Sequence, residues 1–345
     1  MGKISFADVA SALSDEALHL VLMPTEQCNF RCIYCFESFR HGAMPVPVVN
    51  AVENLLTSRF DGLTYLVVSW YGGEPLLAMN VIASVSERIR SLLKSRPVVR
   101  YKGSMTTNGY LLTPEVFRKL LDWRILTYQI SFDGPKEHHD RKRIRADGGP
   151  TFDRLWGNLI KMRAFPDSFA VTVRLHVDRD NFRQAPEFLE QFARDFGDDS
   201  RFAVYIIKLG QYSNSPSQNL NLLPPGDSDG IMKEIREFAG AMKIPVRVAD
   251  RDDHESSSMC FAAKLNSFVI RSNGEISKCI VALDQDANHV GKVNEDGTLN
   301  LDRMKLLKWA RGLSSGEKQE LECPLRDIDL RIAARTSCAR ARPEP

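Results

Sequence analysis

Cys28-Asn29-Phe30-Arg31-Cys32-Ile33-Tyr34-Cys35 places three cysteines within one short stretch, spaced C-x3-C-x2-C. The run ahead of it, His19-Leu20-Val21-Leu22-Met23, reads as a buried strand. The cysteines therefore fall on the loop leaving a strand's C-terminal end, where α/β folds put their chemistry. Three soft thiolates can hold three corners of a cubane [4Fe–4S] cluster and leave the fourth iron open to another ligand. A tetrahedral structural zinc would want a fourth Cys or His close by, and only His41 is near. Unrelated buried thiols seldom share this spacing with an aromatic, Tyr34, before the last cysteine.

On these residues the segment resembles the signature of radical S-adenosylmethionine (SAM) enzymes. The resemblance implies that a cluster on Cys28, Cys32 and Cys35 binds SAM through the amino and carboxylate groups of its methionine part. One electron from an external donor such as flavodoxin or ferredoxin then cleaves the sulfonium to a 5′-deoxyadenosyl radical, which takes a hydrogen atom from the substrate. The protein's part is to position and shield that chemistry. Tyr34 joins the SAM-binding set by the same resemblance.

The bulk properties are those of an ordinary globular chain: 345 residues, 43% hydrophobic and 26% charged. A net charge of +2 gives no ground for a nucleic-acid or anionic-membrane partner. No stretch approaches the ~18 apolar residues of a membrane-spanning helix. Met1-Gly2-Lys3-Ile4-Ser5-Phe6 lacks the apolar core of a signal peptide, so a cytoplasmic location is expected. Seven cysteines in such a chain point to metal or redox chemistry rather than a disulfide frame.

Strand-like and helix-like segments alternate from residue 19 to about 210, the pattern of repeated βα units. Strands are expected near 18–24, 63–70, 98–106, 126–132, 169–177 and 202–207, with helices near 46–59, 79–94 and 228–242. Six such repeats suit the partial (β/α)6 TIM-type barrel that the resemblance implies, open on one side to admit a large substrate. Residues 211–229, rich in Ser, Asn, Pro and Gly, read as a mobile loop. The pattern changes near 245, giving an N-terminal extension (1–17), a barrel (18–244) and a small α+β C-terminal domain (245–345).

Tyr71-Gly72-Gly73-Glu74-Pro75 follows the second strand. Glycines there let backbone approach a ligand, although Gly-Gly after a strand read alone is as readily a plain turn. After the cysteine signature it resembles the GGEP motif that clasps the SAM amino group, which assigns Gly72, Gly73, Glu74 and Pro75. Ser131-Phe132-Asp133-Gly134-Pro135, continuing to His139-Asp140 and Arg143, resembles the S-x-D-G…H-D-x-x-R run of the sulfatase-maturase-like subfamily. That likeness gives Ser131 and Arg143 SAM contacts, and a guanidinium suits the SAM carboxylate. Thr107, Asn108 and Arg174 sit at strand ends facing the same site. Ile206 on strand six is placed against adenine by the same analogy. No residue stands out as the substrate base, though His176, Tyr205 and Asp133 are positioned to face the cavity.

The four remaining cysteines, Cys260, Cys279, Cys323 and Cys338, are the number one complete auxiliary [4Fe–4S] cluster requires. Cys260 and Cys279 lie in a C-x13-G-x4-C spacing across a Ser272-Asn273-Gly274 hairpin turn. This spacing, with Gly291-Lys292-Val293, resembles the opening of SPASM/twitch auxiliary-cluster domains. A full SPASM domain closes with more cysteines than follow Cys323 here, so one auxiliary cluster is expected. The overall pattern resembles maturases of ribosomally made peptides, and a peptide-crosslinking activity on such a precursor is the leading expectation. The alternatives are an anaerobic sulfatase-maturase-type dehydrogenase that makes formylglycine, or a non-catalytic iron–sulfur electron-transfer partner. The dehydrogenases carry an Asp directly after the cysteine matching Cys279, where this chain has Ile280.

Overall fold

The computed structural model describes residues 4–210, 220–247, 259–326 and residue 328. Residues 211–219 of the expected loop, and Cys338, lie outside the described residues. The strands are β1 (Ala17–Leu22), β2 (Tyr65–Trp70), β3 (Arg100–Thr106), β4 (Ile125–Phe132), β5 (Ala170–Val177), β6 (Phe202–Lys208), β7 (Val246–Arg247), β8 (Ser267–Ile270), β9 (Glu275–Ser277), β10 (His289–Val293) and β11 (Leu299–Leu301). The helices are α1 (Phe6–Leu13), α2 (Val46–Phe60), α3 (Met79–Ser95), α4 (Pro114–Asp122), α5 (Lys136–Lys142), α6 (Phe152–Arg163), α7 (Ala185–Phe196), α8 (Ser228–Ala241), α9 (Arg303–Ala310), α10 (Gly312–Ser315) and α11 (Lys318–Glu322). Every strand and helix expected from the pattern is present within two or three residues, the usual uncertainty of element ends.

All eleven strands join one sheet in the order β11-β10-β9-β8-β1-β2-β3-β4-β5-β6-β7. From β1 to β7 neighbours run parallel, and β8 lies parallel to β1 on its other edge. The remaining pairs, β8 to β11, are antiparallel hairpin connections. Among the described residues the order ends at β11 and β7, which do not pair, so the sheet is a partial barrel rather than a closed one.

Side-chain alternation decides which face carries chemistry. On β5, Val171, Val173, Leu175 and Val177 are buried, while Arg174 and His176 between them are only part-buried. The outward rows pack on helices: Phe132 meets Trp156 of α6 and Phe188 of α7, and Phe202 stacks on Phe196 at 4.7 Å. Truncating one of these rings would cost about 3–5 kcal/mol. The inward rows are polar, as in Ser69 joined to His19 (3.1 Å) and Ser104 (2.9 Å) across three adjacent strands. The apolar shell thus fixes the strands and leaves their opposite face for function.

Candidate active site

The loop after β1 is held in place by the loop after β2. Gly72 has φ +120°, and a Cβ there would lie 2.4 Å from the Thr25 carbonyl oxygen. A Cβ on Gly73 would lie 2.3 Å from the Gln27 carbonyl oxygen. Both glycines are therefore required by close backbone approach. The Glu74 amide donates to Gln27 O at 2.9 Å, and the fully buried Glu74 carboxylate accepts from Leu76 N, Thr107 Oγ1 and Asn108 N at 2.7–3.0 Å. Burial raises the Glu74 carboxyl, and those three donors oppose the rise. Glu74 thus ties β2 to the end of β3, and Pro75, buried behind it, opens the turn that follows.

The cysteine loop itself lies against residues 142–146. Arg31 N donates to Ile144 O (2.7 Å), Ile33 N to Lys142 O (3.0 Å), and Ala146 N to Asn29 O (2.8 Å). Arg143 leaves this segment buried, its guanidinium 5.7 Å over the Phe30 ring and its Nη1 donating to Tyr34 Oη at 2.9 Å. Tyr34 Oη donates in turn to Asp133 (2.8 Å), which also accepts from His176 Nδ1 (3.0 Å). Burial opposes ionisation of Asp133, but the His176 hydrogen bond and the charges around it hold its carboxyl down at about 2. Burial also pushes His176 down, so a neutral ring faces an ionised Asp133, which fixes the Nδ1–H tautomer. Asp133 is thereby a brace for Tyr34 and His176.

His139 and Asp140 support Arg143 from behind. Thr151 Oγ1 donates to the Arg143 carbonyl at 2.6 Å and pairs with His139 Nε2 at 3.0 Å, while Asp140 accepts from Thr151 N and Phe152 N. Burial, with the Arg143 charge next, drives His139 down to about 3 and keeps it neutral. Of the sequence run His139-Asp140…Arg143, only the arginine reaches the site.

The cysteine surroundings fit a thiolate-held cluster with SAM upon it. Burial, then the charge of Glu74, pushes Cys28 up to about 12, and burial, then Cys32, does the same to Cys35. Cys32 is raised by burial against the opposing charge of Arg143. The thiols are protonated alone, so metal loading must release protons. Phe30 N (3.3 Å) and Asn108 Nδ2 (3.8 Å) both donate toward Cys28 Sγ, the pattern that stabilises a ligating sulfur. Among the described residues no three His, Cys, Asp or Glu side chains converge on a single metal ion. Arg143 Nε is buried with no hydrogen-bond partner, a donor suited to a carboxylate.

The other expected SAM residues are placed differently from one another. Ser131, Arg174 and Tyr205 lie abreast on β4, β5 and β6, with the Arg174 guanidinium 5.9 Å over the Tyr205 ring. Thr107 and Asn108 cap β3 as components of the Glu74 network. Ile206 points into the helix-facing core, and its carbonyl accepts from Arg236 at 3.3 Å.

Of the later cysteines, Cys260 packs against the segment that carries Cys323. Cys260 N donates to Leu321 O at 2.8 Å, two residues before Cys323. Cys279 follows β9, where Asn288 Oδ1 accepts from both Lys278 N and Cys279 N at 2.9 Å. All three are part-buried. The two halves are joined by a buried bidentate pair, Glu26 to Arg271, at 2.8 Å on both arms.

This geometry agrees with the comparisons to known proteins. The Radical SAM superfamily profile matches residues 22–191, and the chain carries a radical SAM domain. It is 24% identical to an uncharacterised protein of Methanocaldococcus jannaschii over 84% of this chain and 94% of that one. It is 22% identical to a cysteine-type anaerobic sulfatase-maturating enzyme of Clostridium novyi, over 76% of this chain and 74% of the relative. Some relatives, GTP 3′,8-cyclases among them, match over only 40% of their own length. Among solved structures, native anSMEcpe with bound AdoMet and Cp18Cys peptide superposes with a TM-score of 0.68 at 18% identity, covering 88% of this chain and 83% of that one. Streptococcus suis SuiB bound to precursor peptide SuiA gives 0.59 at 14% identity, covering 94% and 70%. The fold is that of these solved structures, and the chain carries a radical SAM domain with sequence relatives among the anaerobic sulfatase-maturating enzymes.

Proposed function

We propose that this chain modifies a peptide, most simply a ribosomally made precursor, by forming a carbon–carbon or thioether crosslink. One observation carries the reading. Three thiols on a braced loop lie beside a buried arginine whose Nε–H is unpaired, at the rim of a barrel left open between β7 and β11.

Cys28, Cys32 and Cys35 would hold the cluster, with Arg143 on the SAM carboxylate and Gly72, Gly73, Ser131, Thr107, Asn108, Arg174, Tyr34 and the backbone near Ile206 around the cofactor. When bound, cluster and SAM would supply reductive sulfonium cleavage and hydrogen-atom abstraction. The chain's own residues do the positioning. Glu74 fixes the loop after β2 against the loop after β1, and the Arg143–Tyr34–Asp133–His176 chain fixes the cysteine loop against β4 and β5. His176 and Tyr205, on the polar face of β5 and β6, are the nearest side chains for steering a substrate backbone or accepting a proton.

Residues 245–345 are read as the auxiliary domain, with one [4Fe–4S] cluster on Cys260, Cys279, Cys323 and Cys338. Electrons would come from a flavodoxin or ferredoxin, and the cysteine usage supports a reducing, cytoplasmic location.

The likeness to a sulfatase-maturating enzyme over three quarters of both chains favours a second reading, dehydrogenation of a Cys or Ser side chain. Against it stands Ile280 where a basic Asp is wanted. Anaerobically reconstituted protein should release 5′-deoxyadenosine under reductant. Mass spectrometry of a candidate peptide then separates the readings: a crosslink loses two hydrogens and resists aldehyde-specific labelling, whereas an aldehyde made from Ser loses two hydrogens and takes the label, and one made from Cys also exchanges sulfur for oxygen as water enters and hydrogen sulfide leaves. No 5′-deoxyadenosine from cluster-loaded protein would leave the electron-transfer reading in its place.

A further inference from the structure

The backbone N–H and both ends of the side-chain amide of Asn108 are committed within the chain. The residue is buried at the turn after β3, and its N–H donates to the Glu74 carboxylate at 2.7 Å. Its Oδ1 accepts from Tyr110 N at 2.9 Å. A backbone N–H can only donate, so the amide oxygen faces Tyr110 and the NH2 group faces the other way. There its two hydrogens meet two acceptors, Asn29 Oδ1 at 2.7 Å and Cys28 Sγ at 3.8 Å. No donor of Asn108 remains for SAM. The sulfur contact also stands apart. Among the described residues, Asn108 supplies the one side-chain N–H to a sulfur of Cys28, Cys32 or Cys35, and it does so from another strand. The other bond to Cys28 Sγ, from Phe30 N at 3.3 Å, comes from the cysteine loop itself.

We propose that Asn108 is a positioning residue for the first cluster rather than a SAM contact, and that its N–H on Cys28 Sγ sets how readily that centre takes an electron. This rests on the reading above that Cys28, Cys32 and Cys35 hold the cluster. A ligating sulfur carries more negative charge once the cluster is reduced, and hydrogen bonds to the sulfurs are among the features that set the potential. A donor fixed on Cys28 therefore favours the reduced state. The turn that carries this donor is itself pinned, because Asn158 Nδ2 donates to the carbonyls of Gly109 (2.8 Å) and Tyr110 (3.2 Å).

The readout is the midpoint potential of the first cluster, from an EPR-monitored potentiometric titration of the reconstituted full chain. The signal is identified by its loss in Cys28→Ala. The titration is run without SAM, where a lost SAM contact cannot move the potential. Asn108→Leu keeps the shape and removes the donor. It should shift the reduction equilibrium about tenfold toward the oxidised form, equivalent to about 59 mV for one electron. If that variant does not accumulate folded, Asn108→Ala carries the same comparison. Asn158→Ala loosens the same turn without removing the donor on sulfur, and it should hold the reduction equilibrium within about twofold of the wild type.

Equal potentials in the wild type and the Asn108 variant would overturn the proposal while leaving the cluster in place. So would equal shifts from the Asn108 and Asn158 variants, the mark of a residue that only shapes the turn. A reconstituted wild type with no signal that Cys28→Ala removes would take away the first cluster itself, and the proposed function with it.

Discussion

Cys28, Cys32 and Cys35 come from one loop, whereas Cys260, Cys279 and Cys323 come from three segments that meet only after folding. The first set is gripped on every side by backbone hydrogen bonds to residues 142–146 and by the Glu74 and Tyr34 networks. The second is held by contacts spread over separate segments: Cys260 N to Leu321 O, Asn288 to both the amide and the carbonyl of Cys279, and Cys323 N to Gln319 O. A site that must hold a reactive cofactor in one pose is built into a rigid rim. A site that needs only to hold a cluster can be assembled from the ends of short elements.

That contrast can be broken most sharply at Cys28. Cys28→Ala should reduce 5′-deoxyadenosine release to background and lower iron by about four per chain; retained cleavage would dissolve the distinction between the two sets. Arg271→Met leaves Glu26 buried and unpaired between the two halves, and urea melts should show a loss of about 3–5 kcal/mol. The double variant with Glu26→Gln should recover much of that loss. Arg143→Lys removes the planar fork and should weaken SAM binding ~10–100-fold in equilibrium dialysis, while Cys279→Ala leaves SAM affinity unchanged.

The His139 support should give the molecule a pH signature. A base held below its ordinary pKa favours the fold while neutral. Its contribution is complete above about 6.5 and is lost, at up to ~1.4 kcal/mol per pH unit, as pH falls toward about 3. Melts of His139→Gln should lack that slope. The smallest effect is expected from Cys279→Ala on SAM cleavage itself: a change within about twofold, measured as uncoupled 5′-deoxyadenosine release, if the two sites are as independent as their construction.

The same contrast explains what the sequence made legible. The cysteine spacing, the glycine pair and the period-two rows of β4 to β6 are local signals, and each reads correctly because the constraint acts within a few residues. Arg143 was found through its neighbours His139 and Asp140, which turn out to orient it rather than to share its task. Glu74 was expected at the cofactor, and its carboxylate instead closes a network onto Thr107 and Asn108. The Glu26–Arg271 pair joins groups 245 positions apart, and no spacing rule reaches that far. Asn181, which donates to the carbonyls of both Asp133 and His176, carries no motif at all. Pairing across the barrel is set by strand register, which appears only when the chain has folded.

The position of β1 between β2 and β8 has a consequence for how the protein is made. Until residues 267–270 have left the ribosome, the outer edge of the strand that launches the cysteine loop has no partner, and Arg271 is not there to meet Glu26. An open apolar edge of that kind invites pairing with other nascent chains. Slower translation or holding chaperones should therefore raise the yield of soluble product, because the strand that launches the cysteine loop is completed by a segment synthesised long after it.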